Sequence, residues 1–164
     1  MNDKVKNFIK ELIPYLIILI VVVAIRSYIV TPVKVSGPSM KPTLNGTEIM
    51  ILNKLDKDFE RYDIVVVKSP DGDIIKRVYG LPGETISCEN GNIYINDKKI
   101  DDKYNGNQTL DFQAVKLGDD EYFVLGDNRM NSKDSRIFGP FKKSEIKGTT
   151  KLVIFPFNKI GNVE

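Results

Sequence analysis

The chain begins with a long apolar stretch and continues as short apolar runs separated by turn-forming residues. Residues 12–25 carry no charge and are apolar on every face of a helix. Extended to residue 30, this helix is nineteen residues long, or about 28 Å, close to the ~30 Å hydrocarbon core of a bilayer. The extension requires Arg26 to reach the interface and Tyr28 to lie in the aromatic belt. We therefore expect a transmembrane helix over residues 12–30.

A cleavable signal peptide is the alternative interpretation of this segment. Residues 22–24, Val-Val-Ala, resemble a small-residue cleavage site, but they lie inside the apolar run, which favours an anchor that is retained. Pro14 falls in the first predicted turn, where a helix loses no hydrogen bond. The three lysines among the first ten residues are balanced by Arg26, Lys34 and Lys41. The positive-inside rule therefore does not assign the orientation.

After residue 30, β-branched runs bounded by Gly, Pro, Asn and Asp predict a mainly β domain with antiparallel strands over residues 31–164. Polar residues at 96–99 indicate a hairpin turn, and residues 142–147 are predicted to form one helical turn. Residues 101–120 show little apolar patterning, so we expect a mobile excursion from the sheet there. The predicted strands are residues 33–35, 48–52, 63–68, 74–79, 85–87, 92–95, 121–125 and 151–155.

Composition limits the chemistry available to this domain. The chain has 24 basic and 22 acidic residues, a net charge of +2, and no basic stripe interleaved with aromatic residues, so we expect no nucleic-acid partner. One cysteine, Cys88, and the lack of histidine exclude an internal disulfide and an ordinary zinc site. The acidic runs at residues 71–73 and 119–121 lack the spacing of a calcium loop. We expect neither a metal nor a cofactor.

Ser39 is the strongest candidate for a nucleophile. It lies in the run SGPSMKPTL at residues 36–44, where two prolines restrict the backbone and Gly37 permits a tight turn that exposes the hydroxyl. Because the chain has no histidine, it cannot assemble a Ser-His-Asp triad, and another group must accept the serine proton. An ordinary Ser/Pro turn is the alternative meaning of this run.

Lys76 is the candidate base. In a β-strand its side chain shares one face with Ile74 and Val78, whereas Arg77 points to the other face. Aliphatic neighbours disfavour the charged ammonium, and lowering a lysine pKa from about 10.4 to near neutrality takes roughly three units, which buried lysines do reach. The alternative is an exposed Lys-Arg pair on an edge strand.

A third segment is rich in hydrogen-bonding side chains. The run GDNRMNSKDSR at residues 126–136 directly follows an apolar run at residues 122–125, so a strand delivers it to one place in the fold. On its own, the segment is equally consistent with a turn that carries an exposed Asp134–Arg136 ion pair, which contributes little to stability.

Together these runs resemble four sequence boxes of the type I signal peptidase family, the membrane-anchored Ser/Lys endopeptidases that remove signal peptides from exported bacterial proteins. The resemblance covers the whole chain, and the boxes follow one N-terminal apolar segment in the family's order. They are SGPSMKPTL at residues 36–44, RYDIVVV at 61–67, IKRVYGLPGE at 75–84 and GDNRMNSKDSR at 126–136.

The resemblance implies a role for each site residue. Ser39 is the nucleophile, Lys76 is the general base, and the hydroxyl of Ser132 orients the lysine amine. Asp134 and Arg136 form a supporting ion pair.

Gly37 stands where some members have a serine that helps to bind the oxyanion, so the oxyanion hole depends mainly on the Ser39 N–H. The family also implies a cytoplasmic tail at residues 1–11 and an extracytoplasmic peptidase domain at residues 31–164. Its partners are the lipid bilayer and signal peptides with small residues before the cut. The short excursion at residues 101–120 indicates the compact Gram-positive type.

Two other functions remain to be weighed. A self-cleaving repressor-type protease shares the Ser/Lys chemistry but needs an N-terminal pair of DNA-binding helices, where this chain has an apolar span. A non-catalytic, membrane-tethered β module could bind peptides along a sheet edge. The presence of Ser39, Lys76 and Ser132 together disfavours it. An apolar rim near residues 32–33 or 137–138 is a candidate for contact with the lipid surface.

Overall fold

A computed structural model describes residues 3–104 and 109–163 of the chain. The N-terminal helix α1 (Asp3–Tyr28) contains an apolar segment, Lys10–Tyr28, that is long and apolar enough to cross a membrane and is not buried against the domain. The helix starts within the predicted tail because no glycine or proline interrupts residues 3–11. Pro14 consequently lies in the helix interior and not in its first turn.

The β-rich domain contains two antiparallel sheets, which confirms the predicted fold class. The larger sheet has the strand order β1-β2-β11-β3-β4-β9-β10, with β12 paired to β11, and the smaller one has the order β7-β6-β5-β8. The domain also contains helix α2 (Ser135–Phe138), which is a single turn. The strands are β1 (Val30–Lys34), β2 (Ile49–Asn53), β3 (Ile64–Ser69), β4 (Gly72–Gly80), β5 (Thr85–Glu89), β6 (Asn92–Ile95), β7 (Lys98–Lys99), β8 (Phe112–Lys116), β9 (Glu121–Leu125), β10 (Phe141–Lys142), β11 (Ile146–Phe155) and β12 (Gly161–Asn162).

Every predicted strand overlaps a strand of the structure, but two predictions need correction. The transmembrane span was predicted to reach residue 30, yet α1 ends at Tyr28, because Val30 already pairs with Asn53 of β2. The predicted excursion at residues 101–120 contains β8, which pairs with β5 and completes the smaller sheet. Residues 105–108 of that excursion lie outside the described part of the chain. The helical turn predicted at residues 142–147 is a 3₁₀ turn, Lys143–Glu145.

The smaller sheet covers one face of the larger sheet next to its centre. Tyr79 of β4 and Phe123 and Leu125 of β9 are buried in one cluster with apolar side chains of the smaller sheet, among them Ile86 and Ile93. Alternate residues of the same two strands, such as Val78 and Val124, pack into a separate cluster. Because β4 is buried in this way, polar side chains on it need partners inside the protein.

The helix joins the domain without a flexible linker. Only Ile29 separates α1 from β1, and Lys54, which follows β2, holds the junction. The Lys54 Nζ donates hydrogen bonds to the carbonyl oxygens of Arg26 (3.0 Å) and Ser27 (2.9 Å), and its backbone N–H donates to the carbonyl of Ile29 (2.9 Å). The last carbonyls of a helix carry a partial negative charge, so an ammonium group there stabilises the helix end.

Candidate active site

The side chains of Ser39 and Lys76 are in contact, although they come from different parts of the chain. The Lys76 Nζ lies 2.7 Å from the Ser39 Oγ and 3.0 Å from the carbonyl oxygen of Ile75, and it donates a hydrogen bond to each. Lys76 is 3% exposed. The pair lies at the wall of a cavity of about 90 Å³, which is also lined by Lys34 and Ser36.

The surroundings of Lys76 favour its neutral form. Burial lowers the pKa of Lys76 from its ordinary 10.5 to about 8, while the charges of Asp134 and Asp127 act to raise it and that of Arg136 acts to lower it. β4 lies between β3 and β9, and both Lys76 and Arg77 are buried. The alternative of an exposed lysine–arginine pair on an edge strand is therefore wrong.

Arg77 forms a buried ion pair that sequence analysis missed. Its Nε and Nη2 donate to the two carboxylate oxygens of Asp127 at 2.9 and 2.8 Å, and neither side chain is exposed to solvent. The Thr43 hydroxyl donates to the same carboxylate at 2.6 Å, and Arg77 Nη1 donates to the carbonyl of Tyr62 at 2.9 Å. The Arg77 guanidinium also lies 3.5 Å from the centre of the Tyr104 ring. The pair therefore joins the strand of the candidate base to the loop that follows Ser39.

The start of the fourth box, residues 126–128, holds the backbone of the candidate nucleophile. The Asn128 N–H donates to the carbonyl of Ser39 at 2.9 Å, and its side-chain amide donates to the carbonyl of Pro38 at 3.2 Å. A Cβ at Gly126 would lie only 2.6 Å from the Ser39 carbonyl oxygen and from the Ser132 Cβ. Glycine is required at this position because the two segments approach so closely.

Ser132 lies next to this contact, and its hydroxyl is unpaired. The Oγ is buried and has no hydrogen-bond partner within the described residues. The predicted hydrogen bond to Lys76 is therefore not formed in this conformation. A buried hydroxyl without a partner costs about 1–3 kcal/mol, which is unusual enough in a folded protein to call for an explanation.

Asp134 and Arg136 form an ion pair in which the carboxylate is buried and the guanidinium is partly buried, so the pair is not at an exposed turn. The Arg136 Nε and Nη2 donate to the two carboxylate oxygens of Asp134 at 2.8 and 2.9 Å, and the Asp134 side chain is fully buried. Asp134 also accepts a hydrogen bond from the Gly126 N–H at 3.0 Å, and Arg136 donates to the carbonyl of Arg129 at 2.7 Å. The pair therefore connects the end of the loop at residues 126–136 to its beginning.

Arg129 anchors the same loop to β4 and to the segment between β7 and β8, a role that no sequence pattern indicates beyond the residue's place in the box. Its guanidinium donates to both carboxylate oxygens of Asp102, at 2.6 and 3.1 Å, and to the Tyr79 hydroxyl at 2.6 Å. It also donates to the Gly126 carbonyl at 3.0 Å and to the Thr109 hydroxyl. The Arg129 side chain is fully buried. These buried hydrogen bonds of Arg129 therefore hold the loop next to Ser39 in place.

Gly37 is exposed and has a φ of 82°, in the left-handed region that favours glycine. No atom lies within 4 Å of the position that a Cβ would occupy there. The turn therefore depends on the backbone conformation of Gly37 and not on a lack of space. Within residues 3–104 and 109–163, no group of three or more acidic or cysteine side chains is placed to hold a metal ion.

Comparisons with known proteins identify the family to which the chain is similar. The family model for signal peptidase, peptidase S26, matches residues 6–155, which include all four boxes. A signal peptidase I of Bacillus amyloliquefaciens is 42% identical over 160 residues, covering 88% of this chain and 86% of the relative. Signal peptidase I S of Bacillus subtilis is 39% identical over 174 residues, covering 96% and 95%. A crystal structure of a signal peptidase I from Enterococcus faecalis V583 matches with a TM-score of 0.52 and 33% identity, covering 57% of this chain and 97% of that one.

We predict that Arg77→Met lowers the free energy of unfolding by about 3–5 kcal/mol, because it leaves the Asp127 carboxylate buried without its partner. Adding Asp127→Leu should recover most of the loss, since no unpaired charge then remains. Urea unfolding of the full chain in detergent measures both. Lys133→Met is the control, because it removes an exposed pair with Asp71 and should cost less than about 1 kcal/mol. Equal losses for Arg77→Met and Lys133→Met would contradict the prediction.

Proposed function

This chain belongs to the signal peptidase family, peptidase S26, and we propose that it is a membrane-anchored serine endopeptidase in which Ser39 is the nucleophile and Lys76 the general base. The observation that carries this proposal is the 2.7 Å contact between the Lys76 Nζ and the Ser39 Oγ, with the amine buried. Its substrates are the signal peptides of exported pre-proteins. Helix α1 is the anchor, and the β domain faces the extracytoplasmic side.

The edge of β4 offers a binding site for an extended peptide. β9 pairs with β4 only from Arg77 onward in the described structure, so it leaves residues 72–76 uncovered on that side. A substrate strand can form main-chain hydrogen bonds along such an edge, which brings its scissile carbonyl to Ser39. The cavity at this edge has a volume of only about 90 Å³, which supports a preference for small side chains before the cut.

Catalysis then takes place in two steps that use the same amine. Neutral Lys76 accepts the proton of the Ser39 hydroxyl while the Oγ attacks the scissile carbonyl, and the resulting ammonium donates a proton to the departing amine. In the second step Lys76 takes a proton from water, which attacks the acyl-enzyme. Lys76 then returns that proton to the Ser39 Oγ, and the acid is released. The backbone N–H of Ser39 stabilises the oxyanion in both steps.

Ser132 supplies the remaining polar contact of the dyad in this proposal. Its hydroxyl is buried without a partner and lies beside Gly126, which also contacts the Ser39 carbonyl. By rotation about its Cα–Cβ bond, this hydroxyl can accept a hydrogen bond from the Lys76 ammonium that forms during the reaction. The Asp134–Arg136 ion pair supports the loop that carries Ser132.

We predict that Ser39→Ala and Lys76→Ala each lower the rate of cleavage of a pre-secretory protein by at least about a thousandfold. The nucleophile and its base act in the same step, so the loss of either one removes the contribution of both. The measurement is processing of a purified precursor by the full-length protein in detergent. Lys68→Ala is the matched control, since Lys68 is an exposed lysine on the neighbouring strand β3. If both dyad variants cleave the precursor as fast as the control does, the residues are not catalytic.

We predict that kcat/KM rises about tenfold per pH unit below pH 8 and levels off above it, because only neutral Lys76 can accept the serine proton. The sign follows from the pKa of about 8, which burial holds below the ordinary value of 10.5. A peptide substrate without titratable groups, assayed from pH 5 to 10, isolates the enzyme's own titration. A profile that is flat from pH 5 to 9 excludes the lysine as the base.

We predict that Ser132→Ala lowers kcat by about a hundredfold without lowering the free energy of unfolding, because its hydroxyl makes no hydrogen bond in the described structure. Ser135→Ala is the matched control. The Ser135 Oγ is buried and accepts a hydrogen bond from the Val124 N–H at 2.9 Å, so its loss should cost about 1–3 kcal/mol. Peptide cleavage and urea unfolding test both variants. Unchanged activity with lost stability in Ser132→Ala would assign that hydroxyl a structural role only.

A further inference from the structure

A second cavity lies beside the loop at residues 126–136, which is hydrogen-bonded to the Ser39 backbone. It has a volume of about 300 Å³ and lies between that loop, helix α2 and the start of β8. We call it the loop cavity. Three of its lining side chains are large, apolar and more than half exposed, namely Leu110 (63%), Met130 (60%) and Ile137 (63%).

One wall of the loop cavity lies close to Ser39. Ser132 lines it, and the Ser132 side chain and the Ser39 carbonyl both meet the position where Gly126 would carry a Cβ. The smaller cavity at the β4 edge is lined by Ser39 and Lys76 and shares no residue with the loop cavity. The loop cavity is therefore distinct from the cavity at the β4 edge and lies close to Ser39 through Ser132.

We propose that the loop cavity binds the residues that follow the scissile bond and favours an apolar side chain among the first three of them. This inference rests on the proposed function, in which the residues before the cut pair with the β4 edge. In this inference, a peptide that continues past Ser39 leaves that edge on the side of Ser132. At about 3.3 Å per extended residue, two or three residues are enough to reach the cavity.

The walls of the loop cavity are held in place before a substrate arrives. Arg129, whose hydrogen bonds to Asp102 and Tyr79 are described above, fixes the turn that presents Met130. The Asp134–Arg136 ion pair fixes the start of α2, which presents Ile137. The lining also includes Asp111, Arg129 and Arg136, and the two guanidinium groups are already paired with Asp102 and Asp134. Preformed concavities with apolar side chains in their walls are typical of binding sites for side chains. A bilayer, in contrast, would be met by a convex apolar surface and would not need a cavity.

The test compares two peptides that are identical up to the cut and carry either leucine or aspartate at the first three positions after it. For the wild-type protein we expect kcat/KM to favour the leucine peptide by about tenfold or more, as for contacts in an apolar pocket. Met130→Ser and Ile137→Ser should each bring the ratio close to one. Ile160→Ser, which removes an equally exposed side chain away from the cavity, should leave the ratio unchanged. Because the ratio compares two substrates of the same sample, partial misfolding of a variant cancels out.

The outcomes separate this inference from the function on which it rests. Equal rates for the two peptides in the wild-type protein, or an unchanged ratio in both cavity variants, overturn the loop-cavity proposal and leave the peptidase intact. Cleavage of neither peptide by the wild-type protein overturns both proposals. If the cavity variants slow both peptides alike, and only when vesicles are present, Met130 and Ile137 contact lipid and the proposal is wrong.

Discussion

The buried ion pair between Arg77 and Asp127 is the contact on which the candidate site depends. Removing two charges from water is costly, and the cost is offset here by bidentate geometry and by further hydrogen bonds to Thr43 and Tyr62. Arg77 adjoins the candidate base on β4, and Asp127 adjoins the residues that hold the Ser39 backbone. One interaction therefore positions the amine and the hydroxyl relative to each other.

Burial lowers the pKa of Lys76 although two carboxylates lie near its amine. Asp127 and Asp134 are close enough to raise this pKa, and a lysine with a free carboxylate beside it would stay charged. Each of these carboxylates is already paired with an arginine, Arg77 or Arg136. The charge of Arg136 cancels part of their effect at the amine, and burial, the largest contribution, lowers the pKa. The arginines support catalysis in the proposed function without touching a substrate.

Local patterns in the sequence were enough to predict the apolar helix, the antiparallel β class and the candidate pair Ser39 and Lys76. β8 escaped prediction because its pairing with β5 contains a register shift, which disturbs the alternation of apolar and polar residues that identifies a strand. β8 is also an edge strand of the smaller sheet, paired on one side only. The pairing of β8 with β5 could not be inferred from residues 112–116 alone.

The charged partners were missed for a different reason. Arg77 and Asp127 are 50 positions apart, as are Arg129 and Tyr79, and no local pattern says which arginine meets which carboxylate. An arginine with apolar neighbours on a buried strand does indicate that some acidic partner exists. The identity of that partner depends on the register between β4 and β9, where Arg77 lies opposite Leu125. Register is a property of the folded sheet, so this part of the site follows from tertiary structure alone.

The junction at Ile29 has a mechanical consequence for an enzyme anchored by α1. A tether of many flexible residues would let the domain tumble and search a wide zone above the membrane. A single connecting residue, together with the ammonium of Lys54 on the helix end, removes that freedom. In the proposed function, in which α1 spans the bilayer, this junction keeps the β4 edge at a fixed distance from the lipid headgroups.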